Sequence, residues 1–267
     1  MSTPAGRPIW YELMTPDPDA IAGFYRDVVG WAITPFQPRP DGKDYRMIGR
    51  SDGKHAGGVL RIDADMAKHG AKPTWLTYLH VVDTDASAAA IAADGGKVLL
   101  PAFSIPGVGR ISMVTDPQGV PFYVMTPSPP PGVEMPLSDV FSPDAVERVS
   151  WNELWSPDLA AAKRFYARHF AFEFNETMDM GPMGDYCFID HGGLRLGGMV
   201  QRQDERQPAA WLFYFRVPSI AAAKRALESG GGTLVMGPHQ IPTGEWIVIA
   251  TDPAGAGFGL VGPKGDS

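Results

Sequence analysis

Two short segments of this chain set a single carboxylate among tryptophans. One reads Trp10-Tyr11-Glu12-Leu13-Met14-Thr15-Pro16-Asp17, the other Trp151-Asn152-Glu153-Leu154-Trp155-Ser156-Pro157-Asp158. A glutamate in such surroundings suits three kinds of chemistry. It can ligate a divalent metal. With its pKa lifted by desolvation it can work as a general base near neutral pH. Bonded to tyrosine, arginine, histidine or backbone amides, it can simply tie strands together, because an unsatisfied buried carboxylate is costly.

The two segments belong to a longer repeat. Trp10, Glu12, Leu13, Pro16, Asp17, Phe24, Tyr25 and Tyr45 return as Trp151, Glu153, Leu154, Pro157, Asp158, Phe165, Tyr166 and Tyr186, each 141 positions later. Further on, Trp75–Val81 returns as Trp211–Val217 and Met113–Gly119 within Val248–Gly255, now 136 positions apart, so five residues were lost in between. A repeat this long is the mark of a tandem duplication. The expected domains are 7–127 and 148–263, joined by a proline-rich linker over 128–147.

Each copy has the same inner order. Ile9–Thr15 reads as a strand, and Asp17 as the N-cap of a helix with Pro18 at its first position. Ile21, Phe24, Tyr25 and Val28 fall on one face of that helix, and Gly30 closes it. Strands follow at 31–36, 44–48 and 56–61. The cycle then restarts with a strand at 74–82, a helix at 86–93 and strands at 98–100, 109–114 and 121–125. The pattern is βαβββ twice per copy, four modules in all. With 267 residues, 44% hydrophobic and 20% charged, the chain can bury two real cores. A net charge of −7 argues against nucleic acid or an anionic membrane as partner. The single cysteine, Cys187, forms no internal disulfide, no signal-like segment opens the chain, and no apolar run reaches membrane-spanning length; a reducing, cytoplasmic setting is expected.

Paired βαβββ modules with a "strand–Pro-Asp–helix" opening and a "Asp-Pro-x-Gly" turn before the last strand resemble the vicinal oxygen chelate superfamily, which holds glyoxalase I, bleomycin-resistance proteins and extradiol dioxygenases. The likeness is to its duplicated, four-module glyoxalase-like form, to which a mycobacterial culture-filtrate antigen belongs. It implies an α+β fold, a tandem pair of glyoxalase-like domains, each with two modules forming a curved mixed sheet around a cavity. It also implies where a divalent metal sits in the family's enzymes. Carried over, the first-strand positions are Trp10 and Trp151, their partners Leu76 and Leu212, the last-strand positions Tyr123 and Gly259, and the remaining slots lie at Gly57-Gly58 and Gly197-Gly198. These side chains do not offer the nitrogen and oxygen donors such an ion requires. The expectation is therefore no metal at the family positions and no other cofactor.

Residues two apart on a strand share a face, so Glu12 and Met14 share that of Trp10, and Tyr78 and His80 that of Leu76. One cavity then presents Trp10, Glu12, Tyr78, His80 and Tyr123; the other presents Trp151, Glu153, Trp155, Tyr214 and Arg216. The switch from His80 to Arg216 suggests a Glu153–Arg216 ion pair with Glu12–His80 as its counterpart, since arginine pairs with a carboxylate but does not shuttle protons. Three functions stay open: a binding module for a small, partly apolar molecule; a lyase, isomerase or dioxygenase-type enzyme on a small carbonyl or vicinal-oxygen compound, with Glu12 and His80 as displaced metal ligands; and a metal-free enzyme with Glu12 as general base and Tyr78 or His80 as acid. The expected partner is a small molecule alone, on a monomer or homodimer. His55, His69, His169, His191 and His239 read as scattered surface histidines, Cys187 as an inert strand thiol, and Trp75 and Trp211 as core.

Overall fold

The structure is a computed structural model that describes residues 3–38, 42–130, 132, 137–205 and 207–266. Its four modules follow the expected order. The first holds β1 (Pro8–Thr15), α1 (Pro18–Val29), β2 (Ala32–Ile33), β3 (Tyr45–Gly49) and β4 (His55–Arg61), followed by a short extra helix, α2 (Ala64–Lys68). The second holds β5 (Thr74–His80), α3 (Thr84–Ala93), β6 (Lys97–Ile105), β7 (Gly109–Thr115) and β8 (Pro121–Pro127). The third holds β9 (Val149–Ser156), α4 (Leu159–Phe170), β10 (Thr177–Asp179), β11 (Asp185–His191) and β12 (Leu194–Gln201). The fourth holds β13 (Ala210–Arg216), α5 (Ile220–Ser229), β14 (Thr233–Gln240), β15 (Trp246–Thr251) and β16 (Gly257–Gly262). Two eight-stranded mixed sheets result, ordered β2-β3-β4-β1-β5-β8-β7-β6 and β10-β11-β12-β9-β13-β16-β15-β14.

Local chemistry explains the repeated helix. The Asp17 carboxylate accepts from the amides of Asp19 and Ala20, Pro18 stands at the first turn, and Ile21, Phe24, Tyr25 and Val28 are buried. Gly30 ends α1 in the left-handed region at φ 94°. In the second copy Asp158 caps α4, but Ala171 takes the left-handed end at φ 53°, a place where a side chain is tolerated rather than favoured. Of the strand expectations, 31–36 shrinks to the two residues of β2, whereas 98–100 grows to the nine of β6. The growth comes from register breaks at Val98/Leu100 and Leu100/Phe103, which carry the strand past Pro101.

The described residues cluster into two compact units. The first takes those of 1–9, 76–139 and 152–211, the second those of 10–75, 140–151 and 212–267. Each unit therefore draws one module from each sequence copy. Parts of the proline-rich join, 131 and 133–136, lie outside the described residues. Its ends are well anchored: Ser138 donates from its hydroxyl to the Ile9 carbonyl at 3.0 Å, and the Glu147 carbonyl accepts from Trp31 Nε1 at 2.9 Å.

Each unit is centred on one hydrogen-bonded chain of aromatic and acidic side chains. In the second unit Trp75 Nε1 donates to the Tyr25 hydroxyl (2.9 Å), which donates to Asp252 Oδ2 (3.0 Å). The other Asp252 oxygen accepts from the amides of Ala254 and Ala256, shaping the turn before β16. The first unit repeats this with Trp211, Tyr166 and Asp116, at 3.1 and 3.3 Å. Helix α1 of one copy is thus bonded to the last turn of the other copy. Both tyrosines and both aspartates are buried. Burial pushes the tyrosines well above their ordinary value and keeps them protonated donors. Burial also raises the aspartates, against the opposing pull of their amide and tyrosine bonds.

A carboxyl raised in the folded state holds its proton longer folded than unfolded. Its stabilising contribution is complete below the unfolded value of about 4 and is lost as pH rises through the folded value. On acidification from pH 7 toward 4 the wild type should therefore gain thermal stability relative to Asp116→Asn/Asp252→Asn; a shift in the variant's favour would show that the carboxyls are not raised. At pH 7, Tyr25→Phe strips a donor from Asp252 and an acceptor from Trp75, and denaturant unfolding should register a loss of about 1–3 kcal/mol.

Candidate functional site

Cross-strand partners point to the same side of a sheet, so the pairing register assembles each candidate face. In the second unit, Glu12 pairs with Gly58 and Gly58 with Met47, while Met14 pairs with Leu60 and Leu60 with Tyr45. Trp10 donates from Nε1 to the Tyr45 hydroxyl at 2.7 Å. A Cβ on Gly58 would collide with that tyrosine ring, so the glycine is what lets Tyr45 lie across the strand. Glu12 is 1% exposed.

In the first unit, Glu153 pairs with Gly198 and Gly198 with Phe188, while Trp155 pairs with Val200 and Val200 with Tyr186. The Glu153 carboxylate accepts from Trp155 Nε1 on one oxygen and from the Tyr186 hydroxyl on the other, both at 2.7 Å. Gly198 again makes room for the tyrosine, since a Cβ there would collide with the Tyr186 ring. The same strand position that holds Trp155 holds Met14 in the first copy, so the indole donor belongs to one copy alone.

The last-strand faces are equally filled. In the first unit Tyr78 stacks on Tyr123 with ring centroids 4.2 Å apart and planes 15° from parallel. In the second unit Tyr214 lies over Gly259, where a Cβ would enter its ring. Arg216 gives both terminal nitrogens to Glu245, at 2.5 and 2.9 Å. This replaces the expected Glu153–Arg216 pair. Glu245 stands two residues before Ile247, which pairs with Val261, the partner of Arg216, so the two side chains meet on one face in a fork that matches a carboxylate. The first copy has Gly109 where the second has Glu245, and its basic residue, His80, keeps a buried Nδ1 with no hydrogen-bond partner among the described residues.

Tyr45, Tyr186 and Glu245 were absent from the expected site. The tyrosines could have been found, because they recur across the repeat and sit opposite the double glycines. Two histidines also differ from the surface reading. His191 is buried, its Nδ1 accepting from Arg7 Nε at 3.3 Å and its side chain packed at Gly6. His169 Nε2 meets Asp94 Oδ2 at 2.9 Å at the end of α4. Trp75 and Trp211 are core as expected, and Cys187 is buried, with Lys163 Nζ 3.7 Å from its sulfur.

The metal question can be put to the donors. Of the positions that the family resemblance assigns to ligands, only Tyr123 carries an oxygen, and its ring is stacked on Tyr78. Among the described residues no group of three or more histidine, cysteine, aspartate or glutamate side chains is arranged to hold a metal ion. The residues present do not fit the family's metal. No helix among the described residues is long and apolar enough to cross a membrane.

Comparison with known proteins places these faces in context. The model of the Glyoxalase/Bleomycin resistance protein/Dioxygenase superfamily matches residues 7–124 and 148–260. The CFP32 protein of Mycobacterium tuberculosis, provisionally named a glyoxylase, is 28% identical over 97% of this chain and 95% of its own. The anthracycline biosynthesis protein DnrV of Streptomyces peucetius is 27% identical over 96% of this chain and 93% of its own. Among solved structures, the Mn(II)-bound glyoxalase of Novosphingobium aromaticivorans superposes with a TM-score of 0.62 at 18% identity, covering 96% of this chain and 82% of that one. The 2,3-dioxygenase LapB of Pseudomonas sp. KL28 does so with 0.60 at 15% identity, covering 97% and 92%. At those identities the two structures share the fold.

Placing a methyl group under the tyrosines tests the packing. Gly58→Ala and Gly198→Ala should each lower stability by about 1–3 kcal/mol in denaturant unfolding, through overpacking of the ring above. Gly198→Ala should also break the Tyr186–Glu153 bond, changing the fluorescence of the adjoining Trp155; an unchanged spectrum and midpoint would mean the ring has room to spare.

Proposed function

Since the chain belongs to the Glyoxalase/Bleomycin resistance protein/Dioxygenase superfamily, we propose that it binds a small, partly apolar molecule at the aromatic faces around Glu12 and Glu153, and does so without a metal. The observation that carries this reading is the filling of the ligand positions. Tryptophan, leucine and glycine stand where the resemblance puts donors in both copies, and the remaining position holds a stacked tyrosine in the first and a glycine in the second. Aromatic walls with a few convergent polar groups are what a pocket for such a ligand needs. The name of the Streptomyces relative supports an apolar small molecule as the ligand.

A second reading is favoured by His80. Its Nδ1 is buried and has no hydrogen-bond partner among the described residues, so it stands as an uncommitted polar group on that strand. In this reading the protein is a lyase or isomerase acting on a small carbonyl or vicinal-oxygen compound. Glu12, buried on β1, takes the proton as general base.

Elemental analysis of protein purified without chelator decides about the metal: the expected content is far below one divalent ion per chain, and a stoichiometric ion lost in Glu12→Ala overturns the metal-free reading. For the enzyme reading, Glu12→Gln should abolish turnover of any confirmed substrate while leaving ligand affinity within about threefold, a split of kcat from KM. Unchanged turnover removes Glu12 from the mechanism.

A further inference from the structure

The segment that precedes β1 is tied to the end of β5. The Gly6 amide donates to the His80 carbonyl at 2.7 Å, and the His80 amide donates to the Arg7 carbonyl at 2.9 Å. The end of β11 holds Arg7 in place. Its Nη2 donates to the carbonyls of His191 and Gly192 at 3.1 and 3.2 Å, and its Nε donates to His191 Nδ1 at 3.3 Å. His191 is 7% exposed. Gly6 lies so close over its ring that a Cβ there would stand 2.8 Å from Nε2. The segment is thus both the cover of the imidazole and its hydrogen-bond partner.

The duplication supplies a comparison within the chain. Glu147 and Arg148 stand 141 positions after Gly6 and Arg7, and Arg50 stands 141 before His191. The main-chain bonds are the same in the second unit: the Glu147 amide donates to the Arg216 carbonyl and the Arg216 amide to the Arg148 carbonyl, both at 2.9 Å. The side-chain fastening differs. Arg148 donates to Asp52 Oδ2 at 2.8 Å, and Arg50 donates to both oxygens of that carboxylate at 3.1 and 3.0 Å. The Ser51 amide donates to Glu147 Oε2 at 2.6 Å. Bonds from Arg50 and the Lys54 amide hold Asp52 well below the ordinary carboxylate range, so this fastening keeps its charges in mild acid.

An imidazole does not. To accept from Arg7, His191 Nδ1 must be bare, and a proton there turns it into a donor that faces a guanidinium. Two charged groups act on the ring: Arg7 opposes its protonation and Glu173, whose Oε1 accepts from the Gly192 amide at 3.3 Å, favours it. Burial first, and Arg7 after it, keep the ring below its ordinary value of 6.5. Release of the segment removes the cover and the cation together, so the open form takes up a proton more readily than the closed one. The closed form is therefore fully favoured above the ordinary value and loses ground as pH falls below it.

We infer that His191 is an acid-released latch, whose protonation unfastens residues 3–7 from β11 and loosens the end of β5 at His80. The corresponding fastening of the second unit stays closed over the same range. The latch is independent of what the aromatic faces bind.

Amide hydrogen exchange of the full chain, measured at about pH 7.5 and about pH 5.5 and corrected for intrinsic rates, tests this. Protection of the Gly6 and His80 amides should fall several-fold at the lower pH, toward a ceiling of about tenfold set by one pH unit below the ordinary histidine value. Protection of the Glu147 and Arg216 amides should stay unchanged. His191→Asn offers Arg7 an acceptor that does not titrate, so the fall should disappear while protection at the higher pH stays within about threefold of the wild type. Arg7→Met removes both the donor and the like charge; it should lower protection at the higher pH and shrink the response to acid, and it keeps the latch testable should His191→Asn not fold. No fall in the wild type, an equal fall at both pairs of amides, or a fall of wild-type size in either variant overturns the inference.

Discussion

The Trp–Tyr–Asp chain, present once in each compact unit, is the interaction on which the rest depends. It links three elements far apart in sequence: the first helix of one copy, the strand that opens the next module, and the turn before the last strand of the other copy. Each member is buried, so each must be satisfied inside the protein. The tyrosine does this economically, accepting from indole and donating to carboxylate with a single hydroxyl. The carboxylate then fixes the turn through two amides. A rigid turn at Asp116 or Asp252 sets where β8 or β16 begins, and hence the register that puts Tyr123 beside Tyr78 and Gly259 beneath Tyr214. The candidate faces are thereby positioned by a network that lies on the opposite, helix-packed side of the strands.

The faces themselves follow from a substitution of rings for ligands. Glycine at 58, 198 and 259 has no conformational duty; it clears a lane for the ring of Tyr45, Tyr186 or Tyr214. A ring lying in that lane excludes water and supplies one hydroxyl with a fixed direction. The Glu153 carboxylate shows the outcome, held by an indole and a phenol rather than by a cation. Two hydrogen bonds at 2.7 Å, one to each carboxyl oxygen, fix the direction of the side chain. Such a site has the polarity to orient a ligand and lacks the donor set to hold an ion.

Much of this was legible in the sequence because duplication writes each constraint twice. The order βαβββ, the capping aspartates, the buried stripe of α1 and the emptiness of the ligand positions all follow from residue types at fixed spacing. What was not legible depended on contacts between distant segments. Tyr25 reads as one more apolar-face residue until Asp252 is placed against its hydroxyl. His191 reads as a polar-turn histidine until the amino-terminal segment brings Gly6 and Arg7 to it. The Glu153–Arg216 pair was inferred from strand alternation, which tells which face a residue occupies but not which acid on that face is nearer. Glu245, beside β15, was nearer to Arg216. The extent of β6 was missed because a proline normally ends a strand, whereas here it sits on an edge between two breaks of register.

The two copies have kept one scaffold and diverged in what it presents. The changes come in compensating sets. Where the first copy has His80 and Gly109, the second has Arg216 and Glu245, and the arginine's charge is neutralised in place. Where Met14 corresponds to Trp155, the carboxylate gained an indole donor. Where the first copy stacks Tyr123 on Tyr78, the second has Gly259 and the ring of Tyr214 lies over it. The two copies thus present faces of different polarity: one carries His80, whose buried Nδ1 has no partner among the described residues, and the other carries Arg216, whose two terminal nitrogens are bonded to Glu245.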